Sequence, residues 1–181
     1  MTSKADVSLR PARDADMPAI AAIYAHHVRH GSGSFEVDPP SVEEMASRYA
    51  SIRRDGYPWL VADDAGRVVA YAYAGPYRTR FGYRFTCEDS VYVAEEARGH
   101  GIGSMLLKRM LELCTARGDR QMIAVIGDAA NTASIALHAR AGFAHAGALA
   151  SVGRKFDRWL DVVFMQRALG PGHATPPVER A

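Results

Sequence analysis

Six residues in the middle of the chain, Arg98-Gly99-His100-Gly101-Ile102-Gly103, combine a guanidinium with three glycines at alternate positions. Glycine removes the Cβ that would hold a ligand away from the backbone, and it permits the positive φ needed to turn amides inward. Between a strand and the first turn of a helix, such a loop converges several N–H groups and the positive helix end on one point, a site for a phosphate-like anion. Two other phosphate loops are excluded by spacing. A dinucleotide fingerprint needs G-x-G-x-x-G, and here the glycine after Gly101 comes one residue too soon; a P-loop needs G-x-x-x-x-G-K-S/T, which occurs nowhere. The competing reading is a turn that merely starts a helix.

Upstream, Arg78, Arg80 and Tyr83 place two guanidiniums and a phenol in one polar, aromatic stretch. Such a set can hold a carboxylate together with phosphinate or sulfone oxygens, and a solvated basic loop is the alternative. His26 and His30 share a helix face with His27 beside them, but no third ligand is evident and no metal site is expected. Cys87 lacks the surroundings of a nucleophile and reads as a small buried apolar residue.

These residues need a frame. Val7 to Arg10 reads as a strand, and Asp16 can cap a helix with Met17, Ile20, Tyr24 and Val28 on its apolar face, stopped by Gly31. Ser41 with Glu44 forms a capping-box pattern ahead of Val42, Met45, Tyr49 and Ile52 at helical spacing. Trp59 to Ala62 and Arg67 to Ala74 flank the turn Asp63-Asp64-Ala65-Gly66 as an antiparallel hairpin, with Pro58 at an edge or strand start. Asp89 to Val93 reads as a strand running into the glycine loop, followed by an amphipathic helix over Ile102 to Arg117 that ends at Gly118. The apolar run Met122 to Ile126 suits a strand buried on both faces beside a parallel neighbour, which makes a βαβ unit. A short helix over Asn131 to Ala141 closes at Gly142, and Phe143 to Ala146 with Trp159 to Leu169 supply the last strands. Residues 1–169 read as one domain, and the Pro- and Gly-rich segment 170–181 as a disordered tail.

Composition narrows the function. The 181 residues are 48% apolar and 23% charged, an ordinary balance for one globular domain. With 22 basic and 20 acidic residues spread along the chain there is no polyelectrolyte block, so nucleic acid is not an expected partner. Cys87 and Cys114 are the two cysteines, without zinc or disulfide spacing, and a reducing cytoplasm fits them best. Neither an export signal nor a membrane span is read.

Arg98-x-x-Gly101-x-Gly103, in this context, resembles the acetyl-CoA signature of the GNAT superfamily, Gln/Arg-x-x-Gly-x-Gly/Ala. The segment Asn131-Thr-Ala-Ser-Ile-Ala-Leu-His-Ala-Arg-Ala-Gly142-Phe143 resembles that superfamily's later helix and following strand. Tyr57-Pro-Trp-Leu-Val-Ala62, Tyr73-Ala-Gly-Pro76, Glu88-Asp-Ser-Val-Tyr-Val93 and Ala124-Val-Ile-Gly127 are similar to the phosphinothricin N-acetyltransferase branch, over about residues 7 to 169. The resemblance implies an α/β fold with a mixed, mostly antiparallel central sheet, splayed between strands 4 and 5 and flanked by about four helices. It also implies acetyl-CoA as cosubstrate, no metal, and a homodimer. Acetyl-CoA contacts would come from Val91, Tyr92 and Val93, from Arg98, Gly99, His100, Gly101, Ile102, Gly103 and Ser104, and from Asn131. The branch's base is a glutamate just before the fourth strand, a position that matches Glu88. Four residues before the Gly-Phe pair many members carry tyrosine; His138 stands there, as in the branch, and general acid, substrate ligand and plain helix-surface histidine all remain open. Arg78, Arg80 and Tyr83 match substrate-holding positions of the branch, with Phe35 and Val162 as apolar walls.

The chemistry asks for such groups. An amine with a pKa between about 8 and 10.4 is mostly protonated at neutral pH and cannot attack a thioester. Glu88, with an ordinary pKa of about 4.3, can take that proton directly or through water, and does so better if its site raises the value. The oxyanion that forms needs an N–H, which a bulged fourth strand could supply. The expected reaction is direct acetyl transfer to the α-amine of a small amino-acid analogue such as phosphinothricin, methionine sulfoximine or methionine sulfone. Other acceptors, a protein N-terminus or a polyamine, and a non-catalytic CoA-binding sensor are the rivals; Arg78 and Arg80 oppose a polyamine.

Overall fold

The computed structural model describes residues 7–179. Eleven regular elements follow one another as β1 (Val7–Pro11), α1 (Met17–His30), α2 (Val42–Arg54), β2 (Trp59–Asp64), β3 (Arg67–Pro76), β4 (Thr86–Val93), α3 (Ile102–Arg117), β5 (Gln121–Gly127), α4 (Thr132–Arg140), β6 (Ala144–Lys155) and β7 (Arg158–Ala168). The strands form one sheet in the order β1-β2-β3-β4-β5-β7-β6. Only β4 and β5 are parallel, bridged by α3, and every other neighbouring pair is antiparallel.

Local chemistry explains the boundaries. The β2–β3 hairpin turns on Ala65 and Gly66, at φ 51° and 89°, the left-handed pair whose twist matches two antiparallel strands. Asp63 Oδ1 accepts the Gly66 N–H at 2.6 Å. Ser41 Oγ accepts the Glu44 N–H at 3.1 Å and caps α2. Asp16 precedes α1 but does not cap it with its side chain. Its carboxylate accepts the Arg13 N–H and two bonds from Arg10, at 2.7 and 2.8 Å, because a paired guanidinium competes better for a buried carboxylate than a helix amide does.

Strands β2 to β4 are covered on both faces. Leu106, Leu107, Met110 and Cys114 of α3 pack on Ala70, Ala72, Met122 and Ala124, while α1 and α2 bring Met17, Ile20, Tyr24, Met45 and Tyr49 onto Trp59, Val61 and Tyr71. Strand β5 departs from the expected uniform burial: Met122, Ala124 and Ile126 are buried, whereas Ile123 and Val125 are half-buried.

Beside this strand the sheet forks. Pairing of β4 with β5 runs only from Thr86↔Gln121 to Asp89↔Ala124, after which the strands part. Pairing of β3 with β4 is unbroken from Ala70↔Val93 to Pro76↔Cys87, so the expected bulge in β4 is absent from its ladder. Glu88 lies inside β4 rather than before it, since the strand begins at Thr86. Over 170–179, where disorder was expected, the chain has neither helix nor strand and is tied back by Arg120 to Gly172 O and Pro176 O and by Arg84 to Glu179. None of the helices among the described residues is long and apolar enough to cross a membrane.

Candidate active site

Gly99 and Gly101 both adopt φ +79°, and nothing lies within 4 Å of the place a Cβ would take at either. Gly101 is the N-terminal flanking residue of α3, and the first helical bond runs from Met105 N–H to Gly101 O at 3.1 Å. The amides of Ile102, Gly103 and Ser104 therefore have no intrahelical partner and present the positive helix end. A Cβ on Gly103 would meet Leu137 and Val93 at 3.6 and 3.7 Å, ordinary contact, so this third position tolerates alanine where the first two demand left-handed backbone. Arg98 and His100 stand exposed on the same loop.

The fork supplies the walls. Tyr77 N–H bonds Thr86 O and Ala94 N–H bonds Val69 O at the two ends of the β3–β4 ladder. Even-numbered residues thus turn their backbone groups toward β3 and odd-numbered ones away from it. Cys87 and Asp89 pair with β5, and beyond them the N–H groups of Val91 and Val93 face the gap. His27 Nε2 lies 3.0 Å from Val93 O and fixes the strand's end. The resulting cleft of about 910 Å³ runs from the glycine loop along Val91, Tyr92 and Val93 to Val125 and Asn131. Asn131 Oδ1 accepts the Ser134 N–H at 3.2 Å, capping α4. A long ligand with a diphosphate at one end and amides along its arm suits these walls, and acetyl-CoA is such a molecule.

Side chains alternate across β4. Tyr92 packs against Tyr24 and His27, which puts Glu88 and Ser90 on the face of α1 and α2. Glu88 is half-buried, and burial first, then the neighbouring Asp89 charge, pushes its carboxyl up to about 7 against the opposing pull of Arg78. A carboxyl at that value is a base poised for neutral pH.

His138 occupies the other face. Its Nδ1 lies 2.8 Å from Ser134 O and its Nε2 3.0 Å from Asp89 Oδ2, with Phe143 edge-on at 5.0 Å. The residue is 4% exposed, so it is not a helix-surface histidine. Burial disfavours its charged form, but the Asp89 carboxylate outweighs that and raises its pKa above the ordinary value. Sequence reasoning missed Asp89. The available signal was a second carboxylate beside Glu88 in an otherwise uncharged strand, where a buried charge demands a partner.

The residues expected to hold the acceptor fall into two groups. Arg78, Arg80 and Tyr83 are exposed on the connection after β3; Arg78 lies over the Tyr77 ring at 4.8 Å, Tyr83 meets that ring edge-on at 5.8 Å, and the charge of Arg78 is felt by Glu88. Phe35 and Val162 sit toward the β6 end of the sheet. Val162 is buried opposite Gly127, and Phe35 rests on Gly153 so closely that a Cβ there would come 2.2 Å from its ring. His26 faces Glu95 at 3.3 Å and His30 at a ring distance of 4.9 Å. Cys87, buried as expected, lies with Cys114 and Asp119, their ligand atoms all within 4.8 Å.

Comparison with known proteins matches this architecture. The acetyltransferase (GNAT) family model matches residues 20–143. The phosphinothricin N-acetyltransferase of Alcaligenes faecalis is 52% identical over 170 residues, covering 94% of this chain and 86% of that protein. The L-methionine sulfoximine/L-methionine sulfone acetyltransferase of Pseudomonas paraeruginosa is 42% identical over 170 residues, covering 93% and 98%. The crystal structure of a GNAT superfamily phosphinothricin acetyltransferase from Sinorhizobium meliloti, in complex with acetyl-CoA, superposes with a TM-score of 0.93 at 49% identity, covering 96% of this chain and 94% of that one. With the glycine cradle at a helix start, the forked sheet and these matches in agreement, the chain belongs to the GNAT family of acetyltransferases.

Proposed function

We propose that this chain transfers acetyl from acetyl-CoA to the α-amine of a small amino acid whose side chain carries a second oxygen-rich group, of the phosphinothricin, methionine sulfoximine or methionine sulfone type. The observation that carries the reading is Glu88, a half-buried carboxyl held near neutrality on the strand that also lines the cleft. The 52% and 42% identical relatives that bear those substrates in their names support the acceptor class.

In this reading the amides of Ile102, Gly103 and Ser104 and the Arg98 guanidinium hold the diphosphate, and Asn131 with the odd-numbered amides of β4 aligns the rest of the arm. Glu88 removes one proton from the bound ammonium and frees its lone pair. The amine adds to the thioester carbonyl, and the Val91 N–H meets the negative charge that builds on oxygen. The C–S bond then breaks. The nitrogen has lost two protons in all; one ends on the departing thiolate, and Glu88 returns the other to solvent. In this reading Arg78 and Arg80 pair with the carboxylate and the second oxygen-rich group of the acceptor.

Incubation of the protein with acetyl-CoA and methionine sulfone tests this by mass spectrometry of the small molecules. The proposal expects an acceptor heavier by one acetyl group, on nitrogen, with stoichiometric free CoA. Unchanged acceptor alongside hydrolysed acetyl-CoA would overturn it.

A further inference from the structure

A buried carboxylate–imidazole pair ties the two walls of the fork together. Asp89 is the last residue of β4 to pair with β5, and its side chain crosses to α4, where Oδ2 meets His138 Nε2 at 3.0 Å. Both side chains are enclosed, at 1% and 6% exposure. The other ring nitrogen lies 2.8 Å from Ser134 O, one turn earlier in the same helix. A carbonyl and an ionised carboxylate can only accept, so with Asp89 ionised both nitrogens must carry hydrogen. Such a ring has no lone pair with which to take a proton; its Nδ1 is shared between Ser134 O at 2.8 Å and Ser134 Oγ at 3.4 Å, and its Nε2 is spent on Asp89. Taking two charges out of water carries a large desolvation cost, which simple packing does not explain. Asp89 Oδ1 adds to that cost, since it is buried and finds no hydrogen-bond partner among the described residues.

The pair's place in α4 shows what the cost secures. Of the nine residues of that helix, His138 alone is fully buried. Leu137 and Ser134 of the same helix, with Asn131 at its start, line the cleft, and the Asp89–His138 pair sits at its edge between β4 and α4. The helix that forms one wall is therefore anchored by this buried ring together with Ile135 and Leu137, which are half-buried against the core.

We propose that Asp89 is a positioning residue: by pairing with His138 across the fork it holds the ring as an imidazolium with both N–H groups committed, and so pins α4 as a wall of the acetyl-CoA cleft. His138 then acts as a fixed strut rather than as the acid that protonates the thiolate. The proposal rests on the acetyl-CoA reading of the cleft, but its first test does not.

That test is ¹⁵N NMR of the histidine rings of the full-length wild-type protein at pH 7 without ligand, with His138 assigned by its loss in His138→Gln. Both ring nitrogens should be protonated, and the ring should titrate above the ordinary histidine range. A neutral His138 with one bare nitrogen at pH 7 overturns the proposal, whatever the enzyme's substrate. The second test is a cycle of Asp89→Asn, His138→Gln and the double variant. Each single change should raise the KM for acetyl-CoA by at least about tenfold, as expected when a binding wall shifts, with a much smaller change in the KM for the amine. The double variant should be no worse than the poorer single one, because the two residues act as a unit. Losses that add, or an unchanged KM for acetyl-CoA in folded variants, overturn it. Failure of the wild-type protein to bind acetyl-CoA would instead defeat the functional reading while leaving the ring measurement standing.

Discussion

Replacement of Glu88 by glutamine keeps the side chain's shape and removes its basicity, and the structure sets the size of three effects. The carboxyl moves from an ordinary 4.5 to about 7, mainly through burial. In the wild type, kcat/KM should therefore climb about tenfold per pH unit on the acid side and level off above a midpoint near 7, where half the population is ionised. In Glu88→Gln that limb should vanish. There kcat at pH 7 should fall by roughly 10²- to 10⁴-fold, with partial recovery at higher pH as free amine is supplied by solvent. The third effect is on stability. A carboxyl whose folded pKa is raised binds its proton more tightly folded than unfolded, so its contribution is fully present below the unfolded value and is lost as pH rises through about 7. The loss amounts to at most about 3 kcal/mol, an upper bound because Glu88 is only half-buried. Glutamine does not suffer it, so the variant should gain on the wild type between pH 5 and pH 8 in denaturant titrations. The assay for activity is thiol release from acetyl-CoA with a saturating amino-acid acceptor across that range. Full activity of the variant at pH 7, with an unaltered acid limb, would refute the assignment of Glu88 as the base.

Gly101→Val should raise the KM for acetyl-CoA far more than that for the amine, since a branched Cβ would enter the cradle and force the left-handed backbone, whereas Gly103→Ala should be nearly silent; steady-state kinetics on both would show it, and equal effects would remove the loop from the anion role. Arg80→Ala should weaken zwitterionic acceptors with a second anionic group by about 2 to 3 kcal/mol while barely affecting simple amines. Equal losses on both acceptor types would take the arginine out of recognition. Gly153→Ala should displace the Phe35 ring, because the added methyl would lie 2.2 Å from it, and should change relative kcat/KM among acceptors of different bulk at constant acetyl-CoA affinity; unchanged selectivity would show that Phe35 is not an acceptor wall.

Much of this was legible in residue order, for physical reasons that differ by element. The glycine loop and α3 were readable because alternate glycines and helical apolar spacing are local signals, and Gly118 at φ 92° ends the helix where its type suggested. The β2–β3 hairpin was readable from its turn residues. What local pattern could not supply were properties of pairing. Whether β4 bulges or forks depends on β5, which breaks away after Ala124, and the amides of Val91 and Val93 reach the cleft by the fork alone. Asp16 looked like a helix cap until Arg10, brought alongside by β1, claimed its carboxylate. Asp89 and His138 lie 49 positions apart and became a pair only through the packing of α4 on the sheet.

In the proposed reaction the forked cleft and Glu88 together acetylate small amino acids bearing a second oxygen-rich group. The most direct test is initial-rate thiol release from acetyl-CoA with an equal concentration of methionine sulfone, methionine sulfoximine, phosphinothricin, a polyamine and a short peptide with a free N-terminus. The account predicts kcat/KM for at least one of the first three to exceed that for the polyamine and the peptide by two orders of magnitude or more, the combined worth of about two charge-assisted contacts. A preference for the peptide or the polyamine, or no release with any amine from a protein that binds acetyl-CoA, would contradict it.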